Sequence, residues 1–491
     1  MAKKQLIVLG AGPGGYAAAF QAANLGLDVT LIDPKPDPGG VCLFHGCIPT
    51  KALLHLSRVK EETEQASEWG LDFSNVKVDI DRVRSWKESV VKQLTGGLGQ
   101  LAKARKVEYL QGTALLKGKN KLVFTPTEDN KQEADDKKKV AGNKEDSKDT
   151  VEEIEFENLI IATGASSAAL PDIEFDNDRI MNSKTALELK DVPKKLLVVG
   201  AGYIGLEMSV IYKALGSDIT IVEFTPDILP GADQDLKDVF KKERKDLMDN
   251  TMFNTKATSV TKEGKKLKVE FETKDGEKKE ETFDRILVAI GNTPNTKDIG
   301  LEEAGIETDK KGFIKVDLVR GTNIENIYAI GDVTGQPMLA HKATHEGRVA
   351  AEHIAGNKTA YEPKAIPAVV FTEPEIAWTG LTETEAKEQG IEYEVAKFPW
   401  AASGRAVTLG VKNGLTKLII DPETGRLLGA AMVGKDAGSL VSEATLAIEM
   451  GAVARDLELT IHPHPTLSET IMEAAEVFYG HATHIHKRKK K

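Results

Sequence analysis

Residues 6–33, LIVLGAGPGGYAAAFQAANLGLDVTLID, are the part of the sequence that decides the fold. An apolar run, a GxGxxG turn, an alanine-rich segment and a second apolar run ending in an acid follow one another. Residues 196–223, LLVVGAGYIGLEMSVIYKALGSDITIVE, have the same order and are identical to the first stretch at ten of 28 aligned positions. The repeat predicts two strand–turn–helix–strand units in an α/β protein.

Each copy has the residues that a dinucleotide site requires. The first glycine allows a tight turn, the second lets a pyrophosphate approach a helix N-terminus, and the third allows close packing of helix and strand. Asp33 and Glu223 each lie 21 residues after the middle glycine and would bind a ribose. One copy alone could be a glycine-rich turn of any α/β protein, but two complete copies predict two bound dinucleotides. The glycines are Gly10, Gly12, Gly15, Gly200, Gly202 and Gly205.

The two copies differ at their acids and on their helices. Glu223 suits a free ribose 2′-hydroxyl and repels a 2′-phosphate, and no arginine lies between Glu223 and Asp238. The second copy is therefore predicted to bind NAD rather than NADP. Ala17 in the first copy corresponds to Glu207 in the second, which is either a surface glutamate or a functional carboxylate.

Three further apolar runs end in small residues. Residues 157–164 (ENLIIATG) and 326–332 (NIYAIGD) are predicted to complete the first dinucleotide site, with Asp332 bonded to a polyol chain. Residues 287–291 (LVAIG) are predicted to close the second site. The alternative for each run is an ordinary strand of the core followed by a turn.

Bulk composition limits the class of protein. A chain of 491 residues exceeds one hydrophobic core and predicts two to four domains. A net charge of −11 argues against general nucleic-acid binding, and no apolar run reaches the ~18 residues that span a membrane. The N-terminus leads directly into an apolar strand without a signal peptide, so a cytoplasmic location is expected.

The only two cysteines, Cys42 and Cys47, lie in the stretch GGVCLFHGCIPTKALL at residues 39–54. Residues 49–56 predict a helix that begins just after Cys47, and a helix N-terminus stabilises a thiolate. In a cytosolic protein this favours a redox-active disulfide over two inert buried thiols. Zinc is a third interpretation, but it requires about four ligands and only His45 lies nearby.

The stretch TIHPHPTLSE at residues 460–469 contains a second candidate group. Two prolines flank His464 and restrict its backbone, and Glu469 could orient and charge the imidazole as part of a general acid–base pair. Thr466 and Glu469 also fit a capping box, so Glu469 could simply cap a helix. The residues alone leave both interpretations open.

With two dinucleotide motifs, Cys-x4-Cys and His-Pro-Thr-Leu-Ser-Glu in this order, the chain resembles the pyridine nucleotide–disulfide oxidoreductases over almost its whole length. Residues 331–347, 371–380 and 398–406 add to the resemblance. It implies an α/β fold with two Rossmann-like dinucleotide-binding domains and a C-terminal α+β interface domain. The expected domains are 1–165 for FAD binding, 166–289 for NAD binding, 290–359 to complete the FAD site, and 360–491 for dimerisation, with a basic tail.

The resemblance also implies which cofactor each motif binds. FAD is expected at the first motif and NAD at the second, with Lys51 near the flavin and paired with Glu207. The expected FAD residues are Gly10, Gly12, Gly15, Asp33, Lys51, Ala114, Asp332 and Ala340. The expected NAD residues are Gly200, Ala201, Gly202, Tyr203, Ile204, Glu207, Glu223, Ala257, Ala289, Ile290, Gly291 and Asn292. No bound metal is expected.

The roles of the reacting groups follow from the same resemblance. Cys42 would exchange with a substrate dithiol, Cys47 would face the flavin as a thiolate, and His464, held by Glu469, would take the substrate proton. The implied reaction is oxidation of dihydrolipoyl groups on the lipoyl domains of 2-oxo acid dehydrogenase acyltransferases or of a glycine cleavage carrier protein, with reduction of NAD⁺. In this family the histidine reaches the disulfide from the other subunit, so a homodimer is expected.

Two other kinds of function compete with this one. A glutathione-reductase-like enzyme would require cations for the 2′-phosphate of NADPH, which Glu223 opposes. A mainly structural docking subunit would retain its function without a reactive Cys47.

Several positions depart from the family pattern. Phe44 and His45 replace a smaller pair, Thr50 replaces a common serine, and Asn292 replaces a common arginine. Of the residues from 128 to 153, 16 of 26 are charged, which predicts that an insertion at about 126–153 is solvated and mobile. The tail at residues 481–491 could bind a metal or an acidic partner, although a disordered end is favoured.

Overall fold

The computed structural model describes residues 3–127, 151–171, 173–176 and 178–486. Most of the expected insertion, residues 128–150, and the end of the basic tail, residues 487–491, lie outside the described residues. The strands are β1 (Lys4–Leu9), β2 (Val29–Asp33), β3 (Glu108–Leu116), β4 (Lys121–Pro126), β5 (Glu152–Ile161), β6 (Ala165–Ser167), β7 (Ile180–Met181), β8 (Lys195–Val199), β9 (Asp218–Val222), β10 (Thr251–Met252), β11 (Thr255–Glu263), β12 (Lys266–Thr273), β13 (Lys278–Phe283), β14 (Arg285–Val288), β15 (Asn292–Pro294), β16 (Ile327–Ala329), β17 (Ala368–Val370), β18 (Glu375–Gly380), β19 (Glu394–Pro399), β20 (Leu415–Ile420) and β21 (Leu427–Gly434).

The helices of the described residues are α1 (Pro13–Asn24), α2 (Gly40–His45), α3 (Cys47–Gln65), α4 (Ile80–Ala104), α5 (Ser183–Ala186), α6 (Tyr203–Leu215), α7 (Gln234–Glu243), α8 (Lys245–Met248), α9 (Leu301–Ala304), α10 (Ala340–Ile354), α11 (Glu383–Gln389), α12 (Gly404–Thr408), α13 (Ala437–Met450), α14 (Ala454–Leu459) and α15 (Glu469–Tyr479). Among these described helices, none combines the length and the apolar character needed to cross a membrane. The chain groups into two compact units.

The first unit comprises residues 1–52, 79–168 and 291–362. Its main sheet pairs β16, β5, β1, β2 and β3 in parallel, and β4 joins β3 and β5 in antiparallel fashion. Leu6, Ile7 and Val8 in β1 are fully buried, as expected for a parallel strand covered on both faces. Helix α10 packs against α1 so closely that a Cβ at Gly347 would lie 2.5 Å from the Gly14 carbonyl oxygen.

The second unit comprises residues 53–78, 169–290 and 363–491. It contains a parallel sheet in the order β10-β9-β8-β14-β7 and a three-stranded antiparallel sheet, β11-β12-β13. A third sheet, β17-β18-β21-β20-β19, is antiparallel throughout, and α13 and α15 contribute to the hydrophobic core built on it. Two parallel sheets with glycine turns and a C-terminal α+β region confirm the predicted fold class, whereas the domain boundaries stay predictions.

Candidate active site

The first glycine motif (residues 10–15) forms a turn that only glycine can make. Gly10 has a φ of +102°, and a Cβ there would lie 2.3 Å from the Ala162 carbonyl oxygen. A Cβ at Gly15 would lie 1.8 Å from the Gly10 carbonyl oxygen. At Gly12, just before α1, a Cβ would meet no atom within 4 Å. The open space at this helix N-terminus fits a pyrophosphate.

Asp33, the last residue of β2, lies beside this motif. Its Oδ2 accepts a hydrogen bond from the Ala11 N–H at 2.8 Å, and its Oδ1 accepts one from the Lys35 N–H at 2.9 Å. Burial raises the pKa of the Asp33 carboxyl, while the two amide donors and the Lys35 charge oppose that rise. The chain therefore fixes a buried carboxylate where a ribose of the bound dinucleotide would need an acceptor.

The second glycine motif (residues 200–205) repeats this geometry. Gly200 has a φ of +105°, and a Cβ there would lie 2.5 Å from the Ala289 carbonyl oxygen. A Cβ at Gly205 would lie 1.9 Å from the Gly200 carbonyl oxygen, whereas a Cβ at Gly202 would meet nothing within 4 Å. The space before α6 thus fits a second pyrophosphate.

Glu223 occupies in the second motif the same position as Asp33 in the first. Its Oε2 accepts a hydrogen bond from the Ala201 N–H at 2.7 Å, and its Oε1 accepts bonds from the N–H and hydroxyl of Thr225, each at 2.8 Å. These bonds hold a carboxylate, and not a cation, at the position where the 2′-oxygen of a bound ribose would lie.

The other residues predicted to line the NAD site lie on several elements. Tyr203 and Ile204 begin α6, and the side chains of Tyr203 and Ile290 are 41% and 43% exposed. Ala257 lies in β11, and the Ala289 N–H bonds the Val199 carbonyl at 2.8 Å. Gly291 and Asn292 belong to the first unit, unlike the other predicted NAD residues.

Glu207, on α6, is 3% exposed, so the surface-glutamate interpretation is wrong. Its Oε1 accepts a hydrogen bond from the Phe371 N–H at 3.0 Å, within the second unit. A buried carboxylate requires partners of this kind, because burial without them is costly. The pairing of Glu207 with Lys51 stays a prediction.

Asp332 lies in the short turn after β16, and burial raises the pKa of its carboxyl, with the Lys342 charge opposing that rise. A fully buried glutamate, Glu346, supports this turn by accepting the Gly331 N–H at 2.7 Å. Lys342 Nζ and Arg320 Nη1 each lie 3.0 Å from Glu346 Oε1. The sequence did not single out these three charged residues, although the (i, i+4) spacing of Lys342 and Glu346 was a weak signal.

Two alanines were predicted to contact FAD through their backbones. Ala340 is the first residue of α10, and its carbonyl accepts the Thr344 hydroxyl at 3.0 Å. Ala114 lies in β3, opposite Phe124 of β4. Both residues belong to the first unit, together with Asp33 and Asp332.

The cysteine pair lies against the first glycine motif. A Cβ at Gly40, where α2 begins, would lie 2.5 Å from the Gly12 Cα. Cys42 lies in α2 and is half-buried, whereas Cys47 is exposed and is the first residue of α3, two residues before the predicted start of this helix. The side chains of both cysteines and of Lys51 therefore lie in the same unit as the first dinucleotide motif.

The environments of the two thiols differ. A hydrogen bond to the Cys47 sulfur, burial and the negative charge of Cys47 all raise the pKa of the Cys42 thiol, and the Lys51 charge opposes them. Of the two thiols, Cys42 is therefore the one whose ionisation these surroundings disfavour. Burial also raises the pKa of Tyr16 in α1, with further contributions from Cys42 and Cys47, so this phenol lies within electrostatic reach of the pair. Tyr16 directly follows Gly15 of the motif, and sequence reasoning missed it.

Phe44 and His45 pack locally within the cysteine stretch. Lys35 Nζ lies 5.6 Å from the centroid of the Phe44 ring, and the Phe44 and His45 rings are 6.0 Å apart. The Phe44 ring therefore contributes a cation–π contact with Lys35.

One group of carboxylates has the spacing of metal ligands in the described part of the chain: Asp233, Asp235 and Glu383. The ammonium of the fully buried Lys417 lies 2.7, 2.8 and 3.0 Å from these three residues, so the protein supplies the cation itself. Neither cysteine belongs to such a group among the described residues.

His464 and Glu469 form the predicted pair. His464 Nδ1 lies 2.8 Å from Glu469 Oε1, and Glu469 Oε2 accepts the Thr466 N–H at 2.6 Å. The Glu469 carboxylate therefore binds both the imidazole and the Thr466 N–H. The capping box predicted for Thr466 and Glu469 does not form, because α15 begins at Glu469 itself, with Ser468 as its N-cap. The His464 side chain is 73% exposed and keeps its Nε2 accessible.

The fold and these sites define a class of protein. Residues 4–347 match the family model described as pyridine nucleotide-disulphide oxidoreductase, and residues 366–475 match the dimerisation domain of the same family. The chain belongs to the pyridine nucleotide-disulphide oxidoreductases. The dimerisation domain supports a homodimer.

Individual relatives are similar over their whole length. A dihydrolipoyl dehydrogenase from Vibrio cholerae is 48% identical over 489 residues, which cover 100% of this chain and 98% of that protein. A dihydrolipoyl dehydrogenase from Haloferax volcanii is 43% identical, covering 98% of this chain and 97% of the relative. The crystal structure of LpdA from Mycobacterium tuberculosis superimposes with a TM-score of 0.85 at 27% identity, covering 96% of this chain and 99% of LpdA.

Proposed function

We propose that the chain is a dihydrolipoyl dehydrogenase, which oxidises dihydrolipoyl groups to lipoyl groups and reduces NAD⁺. The observation that carries the proposal is the Cys42–Cys47 pair placed against the first of two complete dinucleotide motifs. Relatives named dihydrolipoyl dehydrogenase match the chain from end to end at 43–48% identity, which supports this substrate over other disulfides.

The first motif would hold FAD and the second NAD. Gly12 and Gly202 leave the space that each pyrophosphate needs, and Asp33 and Glu223 present a fixed carboxylate to each adenosine ribose. Asp332 would bind the ribityl chain. The chemistry that bound FAD and NAD⁺ supply is two-electron transfer from a thiolate to a nicotinamide.

The chain's own residues perform the thiol exchange. In the oxidised enzyme Cys42 and Cys47 form a disulfide, and the substrate thiolate attacks the Cys42 sulfur. The S–S bond breaks, and the Cys47 sulfur leaves as a thiolate. The second substrate thiol then attacks the first substrate sulfur, which releases the lipoyl disulfide and leaves Cys42 reduced. The raised pKa of Cys42 fits this division, because Cys42 then keeps a proton while Cys47 faces the cofactor as the charged sulfur.

His464 is the proposed base. Its exposed Nε2 would take the proton of the substrate thiol, and Glu469 would stabilise the imidazolium that forms. The two cysteines and His464 belong to different units of the chain. We place His464 of one subunit against the disulfide of its partner, so that the homodimer contains two shared sites.

The partners would be lipoyl domains of 2-oxo acid dehydrogenase acyltransferases or of a glycine cleavage carrier protein, in the cytoplasm. A glutathione-reductase-like activity is the competing candidate. The bonds that fix Glu223 in the second motif oppose the 2′-phosphate that NADPH would bring.

Steady-state assays on the FAD-loaded protein distinguish these candidates. Dihydrolipoamide with NAD⁺ should yield NADH at a rate that depends on both substrates, whereas NADPH with glutathione disulfide should give no turnover above background. Turnover with the second pair and none with the first would refute the proposed substrate.

Mixing two inactive variants tests the shared site. Cys47→Ser homodimers lack the flavin-facing thiolate, and His464→Ala homodimers lack the base. After random exchange of equal amounts, about half of the dimers are mixed, and each mixed dimer contains one intact site of two. The mixture should therefore show about a quarter of the activity of the same amount of wild-type protein. Exchange verified by mass spectrometry without recovered activity would contradict the shared site.

A further inference from the structure

His462 lies two residues before His464 but has the opposite environment. Its side chain is 5% exposed, whereas the His464 side chain is 73% exposed. His462 Nδ1 lies 2.8 Å from the Thr460 carbonyl oxygen, and its Nε2 lies 2.8 Å from Glu443 Oε1. His464, in contrast, is bonded through Nδ1 and leaves Nε2 available.

Both ring nitrogens of His462 face hydrogen-bond acceptors. A neutral imidazole has one N–H, so only the imidazolium can donate to a carbonyl and a carboxylate together. The charged groups around the ring also favour the imidazolium. Glu443 on α13 raises the pKa of His462 most strongly, and Glu469 on α15 adds to the rise. Burial opposes the rise, and Thr460 contributes a neutral carbonyl. A side chain with both nitrogens committed cannot act as the base.

We propose that His462 is a positioning residue, whose doubly bonded imidazolium ties the segment carrying His464 to α13 and so sets where His464 meets the substrate thiol. The bond to Thr460 fixes the start of this segment, and the bond to Glu443 anchors it to a 14-residue helix of the core. Glu469 fixes the other end through His464 and Thr466. The inference rests on the proposed role of His464.

The alternative is that His462 only stabilises the fold, and the two half-reactions separate the possibilities. Reduction of the oxidised enzyme by dihydrolipoamide requires His464, whereas reduction by NADH enters through the flavin and does not. Substitution of a merely structural residue would slow both half-reactions. Substitution of a positioning residue would slow only the reduction by dihydrolipoamide.

The experiment uses anaerobic rapid mixing of FAD-loaded homodimers, from about pH 6 to about pH 9, around the range where histidine titrates. His462→Gln and Glu443→Gln are the test variants. His481→Gln is the matched control, because it removes another histidine–carboxylate pair, to Glu458, outside this segment. His464→Gln, the variant that lacks the proposed base, is included.

Misplacement of the base should slow the dihydrolipoamide half-reaction by about 10- to 100-fold in His462→Gln, with NADH reduction unchanged. In the wild type, the imidazolium is present below its raised pKa and lost above it, so the dihydrolipoamide rate should fall on the alkaline side. Glu443→Gln removes the main cause of the raised pKa and should move this fall to lower pH. His462→Gln should not show this alkaline decrease in the dihydrolipoamide rate, and His481→Gln should have the same pH profile as the wild type.

Wild-type rates and pH profile in both test variants would overturn the inference, and so would an equal loss in both half-reactions. If dihydrolipoamide reduces the His464→Gln enzyme at the wild-type rate, the proposed base is wrong, and the inference fails with it. If His464→Gln is slow while the His462 and Glu443 variants are normal, the inference alone is wrong.

Discussion

The two glycine motifs have almost the same backbone but different surroundings. Their first glycines have φ values of +102° and +105°, and their acids accept the N–H of the residue after that glycine at 2.8 and 2.7 Å. The first motif is followed by α2, which begins at Gly40 against Gly12 and contains Cys42. In the described part of the chain, the second motif is followed by no cysteine-bearing helix, and its own helix carries the buried Glu207. Both motifs thus share the dinucleotide-binding geometry, but only the first lies beside the cysteine-bearing helix.

The largest expected effect comes from disrupting one motif at a time. Gly10→Ala and Gly200→Ala each place a Cβ at a positive φ and within 2.5 Å of a carbonyl oxygen. Gly10→Ala should yield protein without FAD and without activity, whereas Gly200→Ala should keep FAD and lose saturable NAD⁺ binding. Flavin absorbance and NADH titration measure these outcomes.

Gly96→Ala is the matched control, because a Cβ there meets no atom within 4 Å in α4. It should behave as the wild type in both measurements. Loss of FAD from Gly200→Ala, with NAD⁺ binding retained, would reverse the assignment of the two motifs.

The cysteines provide the next test, because only the first motif has them. Cys42→Ser and Cys47→Ser should each reduce dihydrolipoamide oxidation by at least about a thousandfold, since each removes a sulfur of the disulfide. Only Cys42→Ser should keep a long-wavelength thiolate–flavin absorbance, because it retains Cys47, the proposed flavin-facing sulfur, whereas the raised pKa of Cys42 disfavours a thiolate there. The same absorbance in Cys47→Ser, and none in Cys42→Ser, would interchange the two roles.

A smaller effect is expected at the acid of the second motif. Glu223→Gln removes the charge that repels a 2′-phosphate and weakens the bonds to Ala201 and Thr225. The kcat/KM for NAD⁺ should fall by about 10-fold, which corresponds to about 1.4 kcal/mol, and that for NADP⁺ should rise. FAD content is the internal control. Unchanged discrimination between the two nucleotides would show that Glu223 does not select NAD.

The smallest effect is expected outside both motifs, at Glu373. Burial raises the pKa of this carboxyl from 4.5 to about 7, and Arg58, with Nε 3.6 Å from Oε2, opposes that rise. The raised pKa favours folding below pH 4.5, and this contribution is lost as the pH rises through about 7.

Glu373→Gln should therefore increase the free energy of unfolding by about 1 kcal/mol at about pH 8 and by less at about pH 5. Urea denaturation at the two pH values measures the difference. FAD content and the KM for NAD⁺ should not change, because Glu373 belongs to neither motif. A stability difference independent of pH would contradict the raised pKa.

The parts predicted correctly from sequence depend on short-range patterns. The GxGxxG turns are local, because glycines, helix start and acid lie within one strand–helix–strand unit, and α3 was predicted because its helical pattern adjoins Cys47. The parts that were missed depend on packing between distant segments. The sequence singled out His464 and gave no signal at His462, whose burial and contact with Glu443 of α13 appear only in the fold. The burial of Lys417 among three carboxylates likewise required the fold.

The central claim is that substrate electrons enter through the Cys42–Cys47 pair beside the first motif and leave through NAD⁺ at the second. Anaerobic titration of the FAD-loaded protein with dihydrolipoamide tests it most directly. One equivalent per subunit should produce a long-wavelength thiolate–flavin absorbance, and subsequent NAD⁺ should yield NADH as that absorbance disappears. A flavin spectrum that dihydrolipoamide leaves unchanged, in protein that NADH still reduces, would contradict the account.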